Sequence, residues 1–231
     1  MKTSLIKLTL PLAAAGLLAA CAGGPQPPDW QLEAKGSMDR SVAAYMEGNS
    51  RVEMAELERA RTQLTRSGRA DLLATAELLH CATRVASLVV DEPCTGFEKL
   101  RPDATEAQRA YADYLQGKVQ PQGIPLLPES QRAAAAGNAG ALQGIADPLS
   151  KLVAAGVMLQ TGKASPEVIT QAIDTSSAQG WRRPLLAWLG VQLRRAEQGG
   201  DTQAADRLRR RIELTQGISA AARPLTPVTK P

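Results

Sequence analysis

Apolar residues recur every three or four positions along most of the chain, a spacing that places them on one face of an α-helix. The first ordered helix is expected to begin near Ser37 and to end around Gly48. Ser50 and Glu53 have the spacing of a capping box and predict the start of a second helix. A third helix is expected over about residues 70–89, where apolar residues cover more than one stripe. This third helix should therefore be packed on several sides.

Helical patterns continue to near the carboxyl end of the chain. Asp103 or Thr105 can cap a fourth helix, and Ser165, followed by Pro166, can cap a later one. Asp147 and Pro148 interrupt a longer pattern and are expected to kink it. The remaining predicted helical segments are 129–136, 141–159, 184–193 and 204–214.

The amino-acid composition of the chain also favours α-helices over β-strands. Aromatic residues make up 3% of the chain and hydrophobic residues 44%, with much alanine and leucine. Strands favour β-branched and aromatic residues, so this composition favours contacts between helices. The predicted fold class is all-α: an irregular antiparallel array of helix hairpins, α-solenoid-like, with about eight or nine helices and no sheet.

One segment resembles a known repeat family. Residues 187–214 are similar to a single tetratricopeptide unit, with an apolar tryptophan-bearing helix, a Gly-Asp turn and a second helix. The match departs from the family pattern because Gly190 is misplaced, no proline closes the unit, and no 34-residue period recurs upstream. An irregular array is therefore favoured over a regular superhelix.

Composition shifts divide the chain into predicted segments. Residues 37–118 form an amino-terminal helical half and residues 129–217 a carboxyl-terminal half. Residues 119–128 contain three prolines and a glycine, and are expected either to connect the halves or to pack over them. Residues 218–231 are predicted to be a disordered tail.

The first 21 residues have the parts of a secretory signal. Lys2 and Lys7 precede an apolar run of about a dozen residues, which is shorter than the roughly 20 that span a bilayer. Leu18-Ala19-Ala20-Cys21 resembles the lipobox of bacterial lipoproteins, and an ordinary signal peptide followed by a chance cysteine is the alternative. The resemblance implies cleavage of residues 1–20 and lipid attachment, as diacylglycerol and palmitate, at Cys21.

The residue after Cys21 bears on localisation. In Gram-negative lipoproteins an Asp at that position retains the protein in the inner membrane, whereas this chain has Ala22. The resemblance thus implies a lipid anchor in the outer membrane, on its periplasmic face, with stable attachment through two or more acyl chains. Residues 21–36, which are rich in Gly and Pro at their start, are predicted to be an extended tether.

The other two cysteines are Cys81 and Cys94. An exported protein meets an oxidising compartment, so a disulfide between them is predicted, with two separate buried thiols as the alternative. The bridge requires the third helix to end by about Val89, because a longer helix would carry Cys81 too far from Cys94. The spacing is not Cys-x-x-Cys, and His80 is the only histidine, so no metal site is expected.

Charge is distributed unevenly. Residues 181–231 contain ten Lys or Arg and four Asp or Glu, a net of +6. The whole chain carries +4 and residues 1–20 carry +2, which leaves −4 for residues 21–180. Arg207, Arg210 and Arg211 could form a basic surface for an acidic partner, or could simply be solvated, with pairs such as Asp206–Arg210 and Arg209–Glu213 on the last helix.

Candidate chemistry is sparse. Glu129-Ser130 and the later segment 140–145 resemble the Glu-Ser and Gly-rich segments of lytic transglycosylases, but the Gly-Leu-Met-Gln core is absent and the spacing differs. His80 is expected in the core or on a helix surface. The prediction is a periplasmic outer-membrane lipoprotein acting as a protein-binding or structural module of the envelope, not an enzyme, with no catalytic residue, cofactor, metal or nucleic-acid partner. Its partner would be an envelope protein or peptidoglycan, and a peptidoglycan-lytic enzyme is the alternative.

Overall fold

The computed structural model describes residues 27–89 and 94–217, and within them it contains ten α-helices, three 3₁₀-helices and no β-strand. Nine of these α-helices have at least seven residues, so the predicted all-α class is confirmed. The α-helices are α1 (Asp29–Glu47), α2 (Ser50–Arg66), α3 (Ala70–Ala86), α4 (Thr95–Glu98), α5 (Glu106–Leu115), α6 (Glu129–Ala135), α7 (Pro148–Gln160), α8 (Pro166–Ala178), α9 (Arg182–Gln198) and α10 (Thr202–Thr215). The 3₁₀-helices are Arg101–Asp103, Pro121–Leu126 and Ala139–Gly144. The predicted signal peptide, Cys21 and the predicted tail 218–231 lie outside the described residues.

Helix α1 begins eight residues earlier than predicted. The tether was expected to extend to residue 36, but the helix starts at Asp29, directly after extended Pro28. Asp29 lies in the first turn, where a negative charge interacts favourably with the helix dipole. Ala34 and Met38, one helical turn apart, are buried against α2 and α3. Packing of this sparse apolar stripe therefore extends the helix into a mostly polar segment.

The predicted capping box at the start of α2 is wrong. Asn49 is the cap, since its side chain accepts a hydrogen bond from the Val52 amide at 3.3 Å. Ser50 is instead the first residue of the helix. Glu53 is 2% exposed and points into the protein rather than back to the helix start.

The long helix predicted over 141–159 is two separate elements. The Asp147 carboxylate accepts a hydrogen bond from the Ser150 amide at 2.7 Å, and Pro148 occupies the first helical turn of α7. Proline is favoured there because its missing N–H would have no partner, so Pro148 starts a helix instead of kinking one. The predicted caps at Thr105 and Ser165 are confirmed.

The main hydrophobic core is built around α7. Its residues 152–158 are all buried, and they pack between α3, α5, α6 and α8. Gly156 is essential to this packing, because a Cβ at that position would lie 2.4 Å from the Val85 carbonyl oxygen. The absence of a side chain thus allows α7 to approach the backbone of α3.

Both predicted halves contribute to this core. Trp188 of α9 is fully buried, and its indole N–H donates to the carbonyl of Ala86 at 3.1 Å. That carbonyl belongs to the last turn of α3, where backbone acceptors lack partners inside the helix. A smaller cluster joins α1, α2 and α3 through Ala34, Met38, Leu57, Ala60, Leu64 and Ala76.

The proline-rich segment 119–128 packs over the helices. Its 3₁₀-helix Pro121–Leu126 contacts α5 and α6, and Leu127 is only 1% exposed. Helices α1 and α2, and α9 and α10, pack as hairpins, while α3 packs on α7 and α1 on α9 across the sequence. These contacts between distant helices make the array irregular, as predicted, rather than a regular superhelix.

Candidate functional site

Among the described residues, buried carboxylates concentrate at the junction of α1, α2 and α3. Glu53 is 2% exposed, Glu56 6% and Glu77 4%. A buried carboxylate without a partner is costly, and each of these has at least one arginine beside it. We call Glu53, Arg61, Glu77, His80 and Arg84 the charged cluster.

Glu77 and Arg61 form a two-pronged ion pair between α3 and α2. Arg61 Nε lies 2.6 Å from Glu77 Oε1, and Arg61 Nη2 lies 2.8 Å from Oε2. The paired carboxylate raises the pKa of Arg61 further above its ordinary value. Gly96 approaches the same carboxylate so closely that a Cβ there would collide with it. The carboxylate is therefore enclosed on one side by backbone and held on the other by a guanidinium.

Glu53 pairs with the other two members of the cluster. Arg84 Nη2 lies 2.7 Å and His80 Nε2 3.3 Å from Glu53 Oε1. Burial lowers the pKa of His80, and the neighbouring Arg84 lowers it further, against the opposing effect of Glu53. His80 was expected in the core or on a helix surface, and it lies partly buried on α3 among charged side chains.

Arg84 also connects the cluster to α1 and α9. The Arg84 guanidinium lies 3.9 Å from the centre of the Tyr45 ring, and that of Arg183 lies 4.2 Å from it. Arg183 Nε donates to the Tyr45 carbonyl at 2.7 Å, and the Tyr45 hydroxyl bonds to Ser87 at 2.6 Å. Two cation–π contacts on one ring thus hold α1, α3 and α9 together.

Cys81 and Cys94 are paired beside the charged cluster. Their Cα atoms are 5.8 Å apart, within the usual range for a disulfide. Helix α3 ends at Ala86, before the limit at Val89 that the bridge requires. Leu88 follows in the left-handed region with φ 63°, so the chain leaves the helix axis at once.

Two cavities flank the Arg61–Glu77 pair. One, of about 140 Å³, is lined by the cysteines, His80 and Arg84 as well as by the pair itself. The other is an open cleft of about 410 Å³, between α2 and the segment from Thr95 to Leu100. Both cavities include Thr95 and Gly96 in their walls. The ion pair therefore lines both a smaller, partly enclosed cavity and an open cleft.

The predicted basic surface lies on α10. Arg207, Arg210 and Arg211 are exposed, and none of their side chains forms an ion pair or hydrogen bond with another residue of 27–89 or 94–217. The pairing predicted on this helix differs, because Arg209 binds Asp206 at 2.7 Å and Glu197 of α9 at 2.6 Å. We call Arg207, Arg210 and Arg211 the α10 arginine face.

Leu214 continues the α10 arginine face. It lies seven residues after Arg207 and three after Arg211, so the helix places it on the same side. Its exposed fraction is 78%, the highest among the large hydrophobic residues of the described chain. This face of the helix is therefore both basic and apolar.

Glu129, the residue that resembled a lytic general acid, is exposed as the first residue of α6. No group of three or more potential metal ligands occurs within the parts of the chain that the structure describes. Among the helices of those same parts, none combines the length and apolar character needed to cross a bilayer.

The charged cluster was missed in the sequence, although it left a signal. Glu53 precedes Leu57, Ala60 and Leu64 at helical spacing, so a carboxylate stands in the apolar stripe of α2. A carboxylate at such a position either interrupts the buried apolar face of the helix or is itself buried in an ion pair. Which of the two applies depends on arginines elsewhere in the chain.

Comparison with known proteins gives no family assignment. No protein-family model, no curated protein and no solved structure shows a significant match to the chain.

Proposed function

We propose that this chain is a lipid-anchored protein of the periplasmic face of the outer membrane, in a Gram-negative bacterium, whose helical body is a binding module of the cell envelope. The docking surface is the α10 arginine face with Leu214, and the partner is an acidic envelope protein. The observation that carries the proposal is the contrast within one helix: Arg209 is paired twice, while its three neighbours face solvent without an ion pair to any described residue.

The position of α10 supports a docking role. Only α9 packs closely on it among the described elements, and Ala205 is its one buried residue there. Its outer side is thus available to a partner. An exposed leucine beside several arginines gives a partner both an apolar contact and charge complementarity, and such charges favour fast association and specificity.

The lipid anchor rests on the sequence of the first 21 residues. A charged start, a short apolar run and Leu18-Ala19-Ala20-Cys21 support cleavage and lipid attachment. Attachment through several acyl chains would confine the module to the membrane surface. A confined module needs only moderate intrinsic affinity for another anchored or envelope-bound protein, because the local concentration is high.

A lytic activity has less support. A general acid needs an environment that raises its pKa, such as a closed apolar cleft. Glu129 instead is exposed at the start of α6 and is not enclosed in such a cleft. Glu129→Gln is expected to leave muropeptide release from cell walls unchanged, and a loss of release would favour the enzyme.

The docking surface is tested by photo-cross-linking in cells. A benzophenone amino acid at Leu214 should give a discrete adduct with one envelope protein. Reversal of Arg207, Arg210 and Arg211 to Glu should abolish that adduct. The matched control reverses the exposed Arg51, Arg66 and Arg194 and should preserve it. An adduct that survives reversal of the α10 arginine face, or no adduct at all, would contradict the proposal.

A further inference from the structure

The open cleft beside the Arg61–Glu77 pair lies on elements that the proposed docking surface does not use. Its walls come from α2, α3 and the segment from Thr95 to Leu100, and it encloses about 410 Å³. The cleft combines cationic groups with two leucines, Leu73 and Leu100. We refer to it as the Arg61 cleft.

Arg61 is fixed in place before any ligand arrives. Its Nε and Nη2 are bound to the carboxylate of Glu77, whose side chain is 5% exposed. A rigid guanidinium loses little conformational entropy when it binds a further group. The arginine is therefore preorganised by a buried partner.

The third nitrogen of Arg61 has unused capacity. Nη1 lies 3.8 Å from Glu58 Oε2, which is too far for a hydrogen bond. No other described residue accepts a hydrogen bond from Nη1. The side chain as a whole is 34% exposed, so solvent and ligands can reach it.

A second cation lies across the cleft. Lys99 lines it and is exposed, and in the described part of the chain its ammonium has neither an ion pair nor a hydrogen bond. Together, Arg61 and Lys99 present unused donors from two sides. Leu73 and Leu100 supply an apolar surface next to them.

We propose that the Arg61 cleft binds the terminal carboxylate of a peptide, with the last side chain against Leu73 and Leu100. A planar carboxylate matches guanidinium geometry and can accept from both cations. Glu58, 3.8 Å from Nη1, disfavours a doubly charged phosphate more than a singly charged carboxylate. This binding is independent of the α10 arginine face and stands or fails separately from it.

The test compares two peptides that differ in one group. Fluorescence polarisation of the detergent-solubilised full chain is measured with dansyl-Gly-Ala-Leu bearing a free carboxylate, and with the same peptide as its carboxamide. The carboxylate should bind at least about tenfold more tightly, and added salt should weaken it. Equal binding of the two peptides, or no saturable binding of either, would overturn the proposal.

Variants assign the effect to the cleft. Lys99→Gln should weaken binding of the free carboxylate about threefold or more, and Arg61→Gln should weaken it about tenfold. Arg59→Gln is the matched control, since Arg59 lies on the same helix but pairs with Glu56 outside the cleft. Unchanged binding in Lys99→Gln and Arg61→Gln would refute the assignment. Arg61→Gln could fail to fold because it leaves Glu77 buried and unpaired. In that case, Lys99→Gln and the comparison of the two peptides determine whether the cleft binds the carboxylate.

Competition distinguishes the source of the carboxylate. Displacement by acetyl-Lys-D-Ala-D-Ala would identify a peptidoglycan stem peptide, and displacement only by L-peptides would identify a protein carboxyl terminus. Either result supports a peptide carboxylate site. Equally efficient displacement by inorganic phosphate would contradict it. Reversal of the α10 arginine face should leave all these affinities unchanged, which separates this inference from the proposed function.

Discussion

At the scale of single residues, stability and binding depend on how buried charges are paired. Glu53, Glu56 and Glu77 are each held by arginines, and removing one partner of such a buried pair typically costs about 3–5 kcal/mol. The same pairing fixes Arg61 and Arg84 in single orientations. Arg84 in turn packs on Tyr45 and joins α3 to α1.

His80 should make the free energy of unfolding depend on pH near neutrality. Burial and Arg84 lower its pKa in the folded protein below the ordinary value of 6.5. As the pH falls through 6.5, the unfolded chain binds a proton that the folded protein resists, so the free energy of unfolding decreases. Above that pH, His80 is unprotonated in the unfolded chain as well, so it no longer lowers the free energy of unfolding. The slope from one such group cannot exceed about 1.4 kcal/mol per pH unit.

Urea unfolding at pH 7.5, 6.5 and 5.5 measures this effect. His80→Gln should flatten the dependence in this range, where wild type loses stability. The carboxylates whose pKa is lowered by arginine partners, Glu56, Asp71 and Glu98, affect the free energy of unfolding only at lower pH, near 4.5 and below. Wild-type stability that is constant or rises on acidification would contradict the assignment, as would an unchanged slope in His80→Gln.

The charged cluster could not have been predicted from local sequence. A carboxylate in an apolar stripe becomes favourable only when a cation from another element reaches it. Arg61 lies 16 residues from Glu77, and Arg84 lies 31 residues from Glu53. Those distances along the chain are closed by helix packing, which helical periodicity alone does not determine.

At the scale of secondary-structure elements, two glycines inside helices should respond in opposite ways to substitution by alanine. A Cβ at Gly156 of α7 would lie 2.4 Å from the Val85 carbonyl oxygen, whereas one at Gly190 of α9 would meet only the end of Arg194 at 3.7 Å. Gly156→Ala should therefore reduce the free energy of unfolding by about 1–3 kcal/mol through overpacking. Gly190→Ala should raise it by up to about 1 kcal/mol, since alanine favours helix.

Thermal and urea unfolding of the two variants provide the comparison. Both changes add one methyl group inside a helix, so helix propensity contributes equally and the difference reports packing. Similar effects of the same sign would contradict the close approach of α7 to α3.

The Cys81–Cys94 bond should stabilise the end of α3. It closes a loop with a sequence separation of 13 residues, for which the chain-entropy model gives about 3 kcal/mol. Reduction of periplasmically produced protein should lower its free energy of unfolding by about that amount. The Cys81→Ala/Cys94→Ala variant should not respond to reductant. Two alkylatable thiols in unreduced, unfolded protein would contradict the bond.

Most helix positions followed from the sequence, and the errors occurred at helix starts and ends. The helix predicted over 184–193 is α9, which extends to Gln198, and the third helix ends at Ala86 rather than near residue 89. Thr105 and Ser165 were identified because a capping side chain acts within three residues. The start of α1 at Asp29 depends on burial of Ala34 and Met38 against α2 and α3. At Asp147 and Pro148 a kink was predicted, but α7 starts there because the Asp147 side chain caps it.

At the scale of the whole molecule, α7 and α9 join the two halves of the sequence. The main core draws on residues from Tyr45 to Val191, and Trp188 bonds to the end of α3. Periodicity predicted the helices and the irregular array. Which distant helices pack together depends on details such as the missing side chain at Gly156.

The binding surfaces lie away from this core. The α10 arginine face is on the last described helix, and the Arg61 cleft is formed by α2, α3 and the residues after α3. The arginine face was proposed from sequence because its three residues are adjacent on one helix. The Arg61 cleft was not, because its residues come from separate segments that only the fold brings together.

We propose that lipid on Cys21 holds this helical module at a membrane. Intact mass spectrometry of protein extracted from membranes tests it most directly. We expect a chain that begins at Cys21, lacks residues 1–20 and carries the added mass of diacylglycerol and a further acyl group. Cys21→Ser should be soluble or unprocessed. A chain that retains Met1, or one that begins near residue 21 without lipid mass, would contradict lipid attachment at Cys21.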